Sequence, residues 1–112
     1  MKIDARHDRG VTILEPKGKI TIGTGDVALR EAVAEALEAG ARNILADLGG
    51  VSTIDSSGIG ELVSAFTSVS NRGGQLKLVN LPPKVTDILQ ITQLISVFEV
   101  HDSIDEAIDS FE

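Results

Sequence analysis

The chemistry-bearing stretch of this chain is Ile54-Asp55-Ser56-Ser57-Gly58-Ile59-Gly60, which puts one carboxylate and two hydroxyls between a strand-like run and a helix-like run. A helix N-terminus exposes unpaired N–H groups and the positive end of its dipole. Such a spot binds or carries phosphate. Two readings of the serines follow. One is a plain helix cap, since a Ser or Asp oxygen readily accepts an orphan N–H. The other is a hydroxyl that receives a phosphoryl group. Gly58 and Gly60 add weight to the second. Each costs helix stability, about 1 kcal/mol relative to alanine, and together they would leave the first turns open to another surface.

A second candidate is Gly23-Thr24-Gly25-Asp26-Val27-Ala28. It fits the dinucleotide fingerprint G-x-G-x-x-[GA], with Asp47 roughly 20 residues on. A loop with Thr24 or Asp26 as helix cap explains the same residues more simply, because the chain has room for about half of a dinucleotide-binding sheet. His7 and His101 have no helical i, i+4 partner, so no metal site is expected. No G-x-S-x-G surrounds Ser56, so the nucleophile-elbow signal is missing. Asp102, Asp105, Glu106 and Asp109 read as the solvated start of a closing helix.

The elements that must position these residues alternate. Ile3–His7 and Val11–Glu15 read as two strands joined by a turn at Asp8-Arg9-Gly10. Pro16 and Gly18 interrupt the pattern, and Lys19–Ile22 reads as a further short strand. Leu29, Ala32, Val33, Ala36 and Leu37 recur at helical spacing and predict a helix over Val27–Ala39, ended by Gly40. Asn43–Leu48 is a nearly continuous apolar run, as in a central parallel strand. A second helix opens near Ser57 with Ile59, Leu62, Val63, Phe66 and Val69 on one side. Gln75–Val79 is the next strand, and Pro82-Pro83 starts a third helix. Ser96–Val100 reads as the last strand, and Ser103-Ile104-Asp105-Glu106 is a capping box before a fourth helix. The expected fold is α/β, a mixed, mostly parallel sheet of about five strands with about four helices, in one domain over 1–112.

Bulk properties narrow the function. The 112 residues are 42% hydrophobic and 24% charged, a globular composition. Cysteine is absent, which removes disulfides, thiolate metal sites and a cysteine nucleophile. The net charge of −7, with no Trp or Tyr, argues against nucleic acid, which is held by basic side chains and stacked aromatics. The charged N-terminal residues do not form a signal peptide, and no apolar run spans a bilayer. The expectation is a cytoplasmic protein without direct membrane insertion and without a cofactor, whose acidic surface favours basic protein partners.

The order of elements, the signature Val51–Gly60, and the stretches Gly40–Leu48, Gly73–Val79 and Leu94–Phe98 resemble the STAS family, specifically bacterial anti-sigma factor antagonists. The resemblance implies a STAS-like fold and no enzymatic activity. It implies that Ser56 is the phosphoacceptor and Ser57 the helix cap. It implies a partner surface drawn from Thr21, Ile22, Thr24, Asp26, Asp55, Ser57, Gly58, Ile59 and Leu62. The implied partners are an anti-sigma factor with serine/threonine kinase activity, which binds the unmodified form and releases a sigma factor, and a PP2C-type phosphatase that resets the switch. Many members carry an acidic residue in the segment matching Gly18–Thr21, where this chain has Lys19 and Thr21. The resemblance also allows a regulatory subunit of a lipid or anion transporter, docking through the helix face near Ile59 and Leu62. A small dinucleotide-binding protein is the third alternative.

Overall fold

The computed structural model describes residues 1–111. Strands β1 (Lys2–Asp8) and β2 (Val11–Ile20) form an antiparallel hairpin closed by Arg9 and Gly10. Both turn residues have positive φ, 50° and 79°, which makes a two-residue turn of the type that matches strand twist. The chain continues as α1 (Asp26–Glu38), β3 (Asn43–Asp47), β4 (Val51–Ile54), α2 (Ser56–Asn71), β5 (Gln75–Val79), α3 (Pro83–Ile91), a 3₁₀ turn (Ile95–Val97), β6 (Val100–His101) and α4 (Ile104–Asp109). The sheet order is β1-β2-β3-β5-β6, with β4 also paired to β2. All pairings except the hairpin are parallel.

The α/β expectation holds, with two corrections in the sheet. The segment Val11–Ile20 is one ten-residue strand, not two short ones. Its first half pairs with β3 at Thr12–Leu14, and its second half pairs with β4 at Gly18–Ile20 across an irregularity at Gly18/Lys19. Pro16 falls between the two parallel ladders, where a missing N–H interrupts neither. With β4 beside the second half of β2, the described residues hold six strands, in keeping with the expected mixed, mostly parallel sheet. The second correction concerns Ser96–Val100. Ile95–Val97 winds into a 3₁₀ turn and only Val100–His101 pairs with β5. The turn brings Phe98 edge-on to Phe66 of α2, ring centroids 5.6 Å apart, and buries it; an extended strand would carry that ring along the sheet edge instead.

Strand alternation splits the core by face. Leu14, Ile44, Ala46, Leu76 and Leu78 pack with residues of α1, α2 and α3. Val11, Ile13, Leu45 and Val79 pack with Ala107, Ile108 and Phe111 on the opposite face. Lys77 belongs to that second face and is buried. Its Nζ donates to the Ser110 carbonyl at 2.8 Å and reaches Glu99 at 2.7 Å, while lying 4.7 Å from the Phe111 ring centre. Lys77, then His101, holds the Glu99 carboxyl down to about 2. The last helix is therefore anchored by a satisfied cation as well as by apolar contact. Its start is capped by Ser103, which accepts from the Glu106 N–H. Asp105 and Asp109 are exposed, as expected, yet both also pair with Arg9 of the hairpin turn.

Candidate functional site

The site forms where β2 and β4 end side by side and hand over to α1 and α2. Asp55 follows β4 in extended conformation (φ −113°, ψ −173°). Its Oδ1 accepts from the Gly58 N–H at 2.9 Å, and its Oδ2 accepts from the Ile22 N–H at 3.0 Å. One carboxylate thus caps α2 and ties down the loop after β2. These two amides, Ile22 first and Gly58 second, hold the Asp55 carboxyl below the usual aspartate range, because hydrogen bonds to the charged form favour it.

That geometry corrects the expected cap. Ser57 is the second helical residue, and Asp55 stands at the cap position with Ser56 as the first residue of α2. A capping oxygen must sit one residue before the helix in extended backbone, to reach the third amide. Only Asp55 does so. Ser56 is exposed and Ser57 half-buried, and among the described residues neither hydroxyl has a hydrogen-bond partner.

The loop Thr21–Gly25 closes on itself through reciprocal Thr21 and Thr24 backbone bonds of 2.7 and 2.8 Å. The N-cap of α1 is Gly25, without a side-chain cap, rather than Thr24 or Asp26. Asp26 is buried and turns its carboxylate back to accept from the Gly23 and Val27 N–H groups at 3.1 and 2.8 Å. The amides that a pyrophosphate would take are thus engaged by a group of the same charge, and Asp47 is occupied elsewhere, with the Gly49 N–H and Asn80. The dinucleotide reading has no site here.

The loop that Asp55 holds and the start of α1 present Ile22, 73% exposed, and Val27, 45% exposed, with Thr24 exposed and Thr21 half-buried. Val27 was missed as a surface residue in the sequence; its position off the Leu29–Val33–Leu37 stripe is the signal that could have found it. Glu61 on α2 takes a fork from Arg30 on α1, with contacts of 2.6 to 3.2 Å, which links the two helices across their exposed side. Three expected partner contacts fall elsewhere. Ile59 and Leu62 are 3% and 1% exposed and belong to the core; helical spacing from Gly58 points them at the sheet. Gly58 is not an opening for another molecule. A Cβ there would lie 2.1 Å from the Ile20 carbonyl oxygen, so the residue that comes close is the chain's own β2. Gly60 has no neighbour within 4 Å of such a Cβ and leaves the exposed side of α2 bare.

Residues 2–107 match the STAS domain. This chain belongs to the STAS domain family. Among similar proteins, the anti-sigma-B factor antagonist of Bacillus subtilis is 30% identical over 100 residues, covering 89% of this chain and 90% of its own. The crystal structure of a Thermotoga maritima protein described as a candidate anti-sigma factor antagonist superimposes with a TM-score of 0.89 at 28% identity, covering 97% of this chain and 93% of that one. The Bacillus cell fate determinant SpoIIAA in its phosphorylated form shares the fold, with a TM-score of 0.74 at 20% identity, covering 99% of this chain and all of that one. Within this STAS domain, Ser56 is an exposed residue at the start of α2, next to Asp55, whose carboxylate holds the loop that carries the exposed Ile22.

Proposed function

We propose that this STAS domain is an anti-sigma factor antagonist switched by phosphorylation of Ser56. The unmodified chain docks an anti-sigma factor with serine kinase activity through the loop Thr21–Asp26 and the first turn of α2, and a sigma factor is released. The kinase supplies the nucleotide and its metal; this chain supplies a substrate hydroxyl and performs no catalysis itself. A PP2C-type phosphatase returns the serine to its unmodified state. The observation that carries this reading is the exposed Ser56 hydroxyl, unpartnered among the described residues, next to Asp55, which holds the loop bearing exposed Ile22.

The switch works through charge. A phosphoserine carries about −1.5 to −2 charges at pH 7. Two amides at this helix end, those of Gly58 and Ile22, already serve Asp55. The added charge therefore stays directed outward, next to a carboxylate, on a chain of net charge −7. A partner surface that closes over a neutral serine then meets a charge it must desolvate. No refolding is required. The transporter-subunit reading loses its expected docking face, since Ile59 and Leu62 are core residues.

The test uses the kinase from the native host. Ser56→Ala binds it and takes up no phosphate, while Ser57→Ala is still phosphorylated. Phosphate entering the Ser56→Ala chain would reassign the site.

A further inference from the structure

The outer edge of the sheet carries a pattern the switch does not use. β1 pairs only with β2 and leaves its other edge open. Its residues alternate in sign on one face: Lys2, Asp4, Arg6, Asp8. Within the hairpin this order is poorly matched, because Lys2 lies opposite Lys17 and Asp4 opposite Glu15. Like charges directly opposite each other are unfavourable. The chain's own ion pairs on this face are Lys2–Asp4 along the strand and Lys17–Asp4 on the diagonal, both at 3.8 Å, Arg6–Glu15 on the diagonal at 3.2 Å, and Asp8 with Arg9 of the turn at 3.1 Å; all are solvent-accessible.

We infer that β1 is a self-recognition edge, on which a second copy of this chain pairs antiparallel about Ala5. In that register Lys2 faces Asp8 and Asp4 faces Arg6, each twice by symmetry, so every charged position meets its opposite. Sliding either copy by one pleat sets Lys2 against Arg6 and Asp4 against itself, or Asp4 against Asp8 and Arg6 against itself. The charge pattern thus selects one register.

The backbone agrees with this register. Arg9 and Gly10 form a two-residue turn, so Asp8–Val11 closes the hairpin as a hydrogen-bonded pair. Every second residue back from Asp8 then points its backbone groups at β2, and Ile3, Ala5 and His7 point theirs outward. Pairing about Ala5 joins Ile3 to His7 and Ala5 to Ala5 through those free groups. The charged pairs occupy the alternate positions, where side chains of facing strands are closer.

The other face of the edge is also suited to a second copy. Ile3, Ala5 and His7 border a shallow groove of about 220 Å³ together with Ala32, Ala36 and Ala39 of α1. A symmetric partner brings its own small-residue helix face to this groove. The axis reverses strand direction between copies, so the two Ser56 sites point to opposite ends of the joined sheet and both stay accessible. Charges on an edge strand ordinarily deter pairing; here they deter strands of other sequence and fit this one.

The experiment is sedimentation velocity of the full chain from about 10 μM to about 1 mM, a range that brackets weak association, with the variants Arg6→Asp and Asp4→Arg. Each variant places like charges at both central pairs, and each attractive pair is worth about 1.4- to 5-fold in affinity. The wild type is expected to reach dimer mass. Each single variant is expected to dissociate at least about tenfold more readily. An equimolar mixture of the two variants restores opposite charges and is expected to recover the dimer as a heterodimer. Circular dichroism melts confirm that the exposed substitutions leave the fold intact. A wild type that stays monomeric, single variants that dimerise like wild type, or a mixture that stays monomeric would each overturn the inference.

Discussion

Replacing Gly58 with alanine pits two effects of opposite sign against each other. Helix propensity alone favours alanine at the third position of α2, by about 1 kcal/mol. The packing opposes it. The new Cβ would lie 2.1 Å from the Ile20 carbonyl oxygen, 2.7 Å from Ile54 Cγ1 and 2.9 Å from Ile20 Cγ2. The first contact is with backbone, which cannot rotate away. Relief requires the start of α2 to back off by about 1 Å, which stretches the Asp55 N–H to Ile20 carbonyl bond of 3.3 Å and the Asp55–Ile22 bond of 3.0 Å. Overpacking of this kind costs about 1–3 kcal/mol, with the upper end apt for a backbone collision. The net expectation is a loss of about 2 kcal/mol, or roughly 8 °C in Tm for a domain of this size. Gly60→Ala is the matched control. It meets nothing within 4 Å and should gain about 0.5–1 kcal/mol from propensity. Urea melts with a common m-value give both numbers. If Gly58→Ala proves as stable as wild type, or more so, the close approach of β2 and α2 that builds the site is wrong.

Other perturbations separate core from surface. Leu62→Ala should cost about 2–5 kcal/mol while the folded fraction keeps its affinity for the partner; a selective loss of binding would return Leu62 to the docking surface. Ile22→Ser should change stability by no more than about 0.5 kcal/mol and weaken partner binding, as isothermal titration would read. The lowered Asp55 carboxyl has a pH signature. Its stabilisation is fully present above the unfolded value of about 3.9 and is lost as pH falls through the folded value. The gap between wild type and Asp55→Asn in urea melts should therefore be constant above about pH 5 and shrink in acid; a constant gap down to pH values well below the unfolded one would refute the cap. Glu99, held at about 2 by Lys77 and His101, should act the same way over a range reaching down to that value, with Glu99→Gln as its control.

Much of this was legible in the residues because local rules and tertiary demands coincide. The α1 stripe, the two prolines opening α3 and the Ser103 cap each follow from spacing that the packing then uses. The exposed serine at the mouth of α2 was readable for the same reason. What escaped depends on partners distant in sequence. β2 runs through Pro16 because it changes neighbours there, and β4, only four residues long, exists because β2 extends to receive it. Asp55 rather than Ser57 is the cap because the end of β4, fixed by its pairing with β2, leaves Asp55 as the last extended residue before α2. Gly58 looked like an opening because its sequence does not reveal that the Ile20 carbonyl fills the space.

The central claim is that charge on one hydroxyl decides docking. The most direct measurement compares the affinity of the chain carrying a phosphoryl group on Ser56, verified by intact mass and site mapping, with that of the unmodified chain for its anti-sigma factor. The account predicts a loss of at least about a hundredfold, corresponding to about 3 kcal/mol, with far-ultraviolet circular dichroism and Tm nearly unchanged. Equal affinity of the two forms, or a loss matched by unfolding, would contradict it.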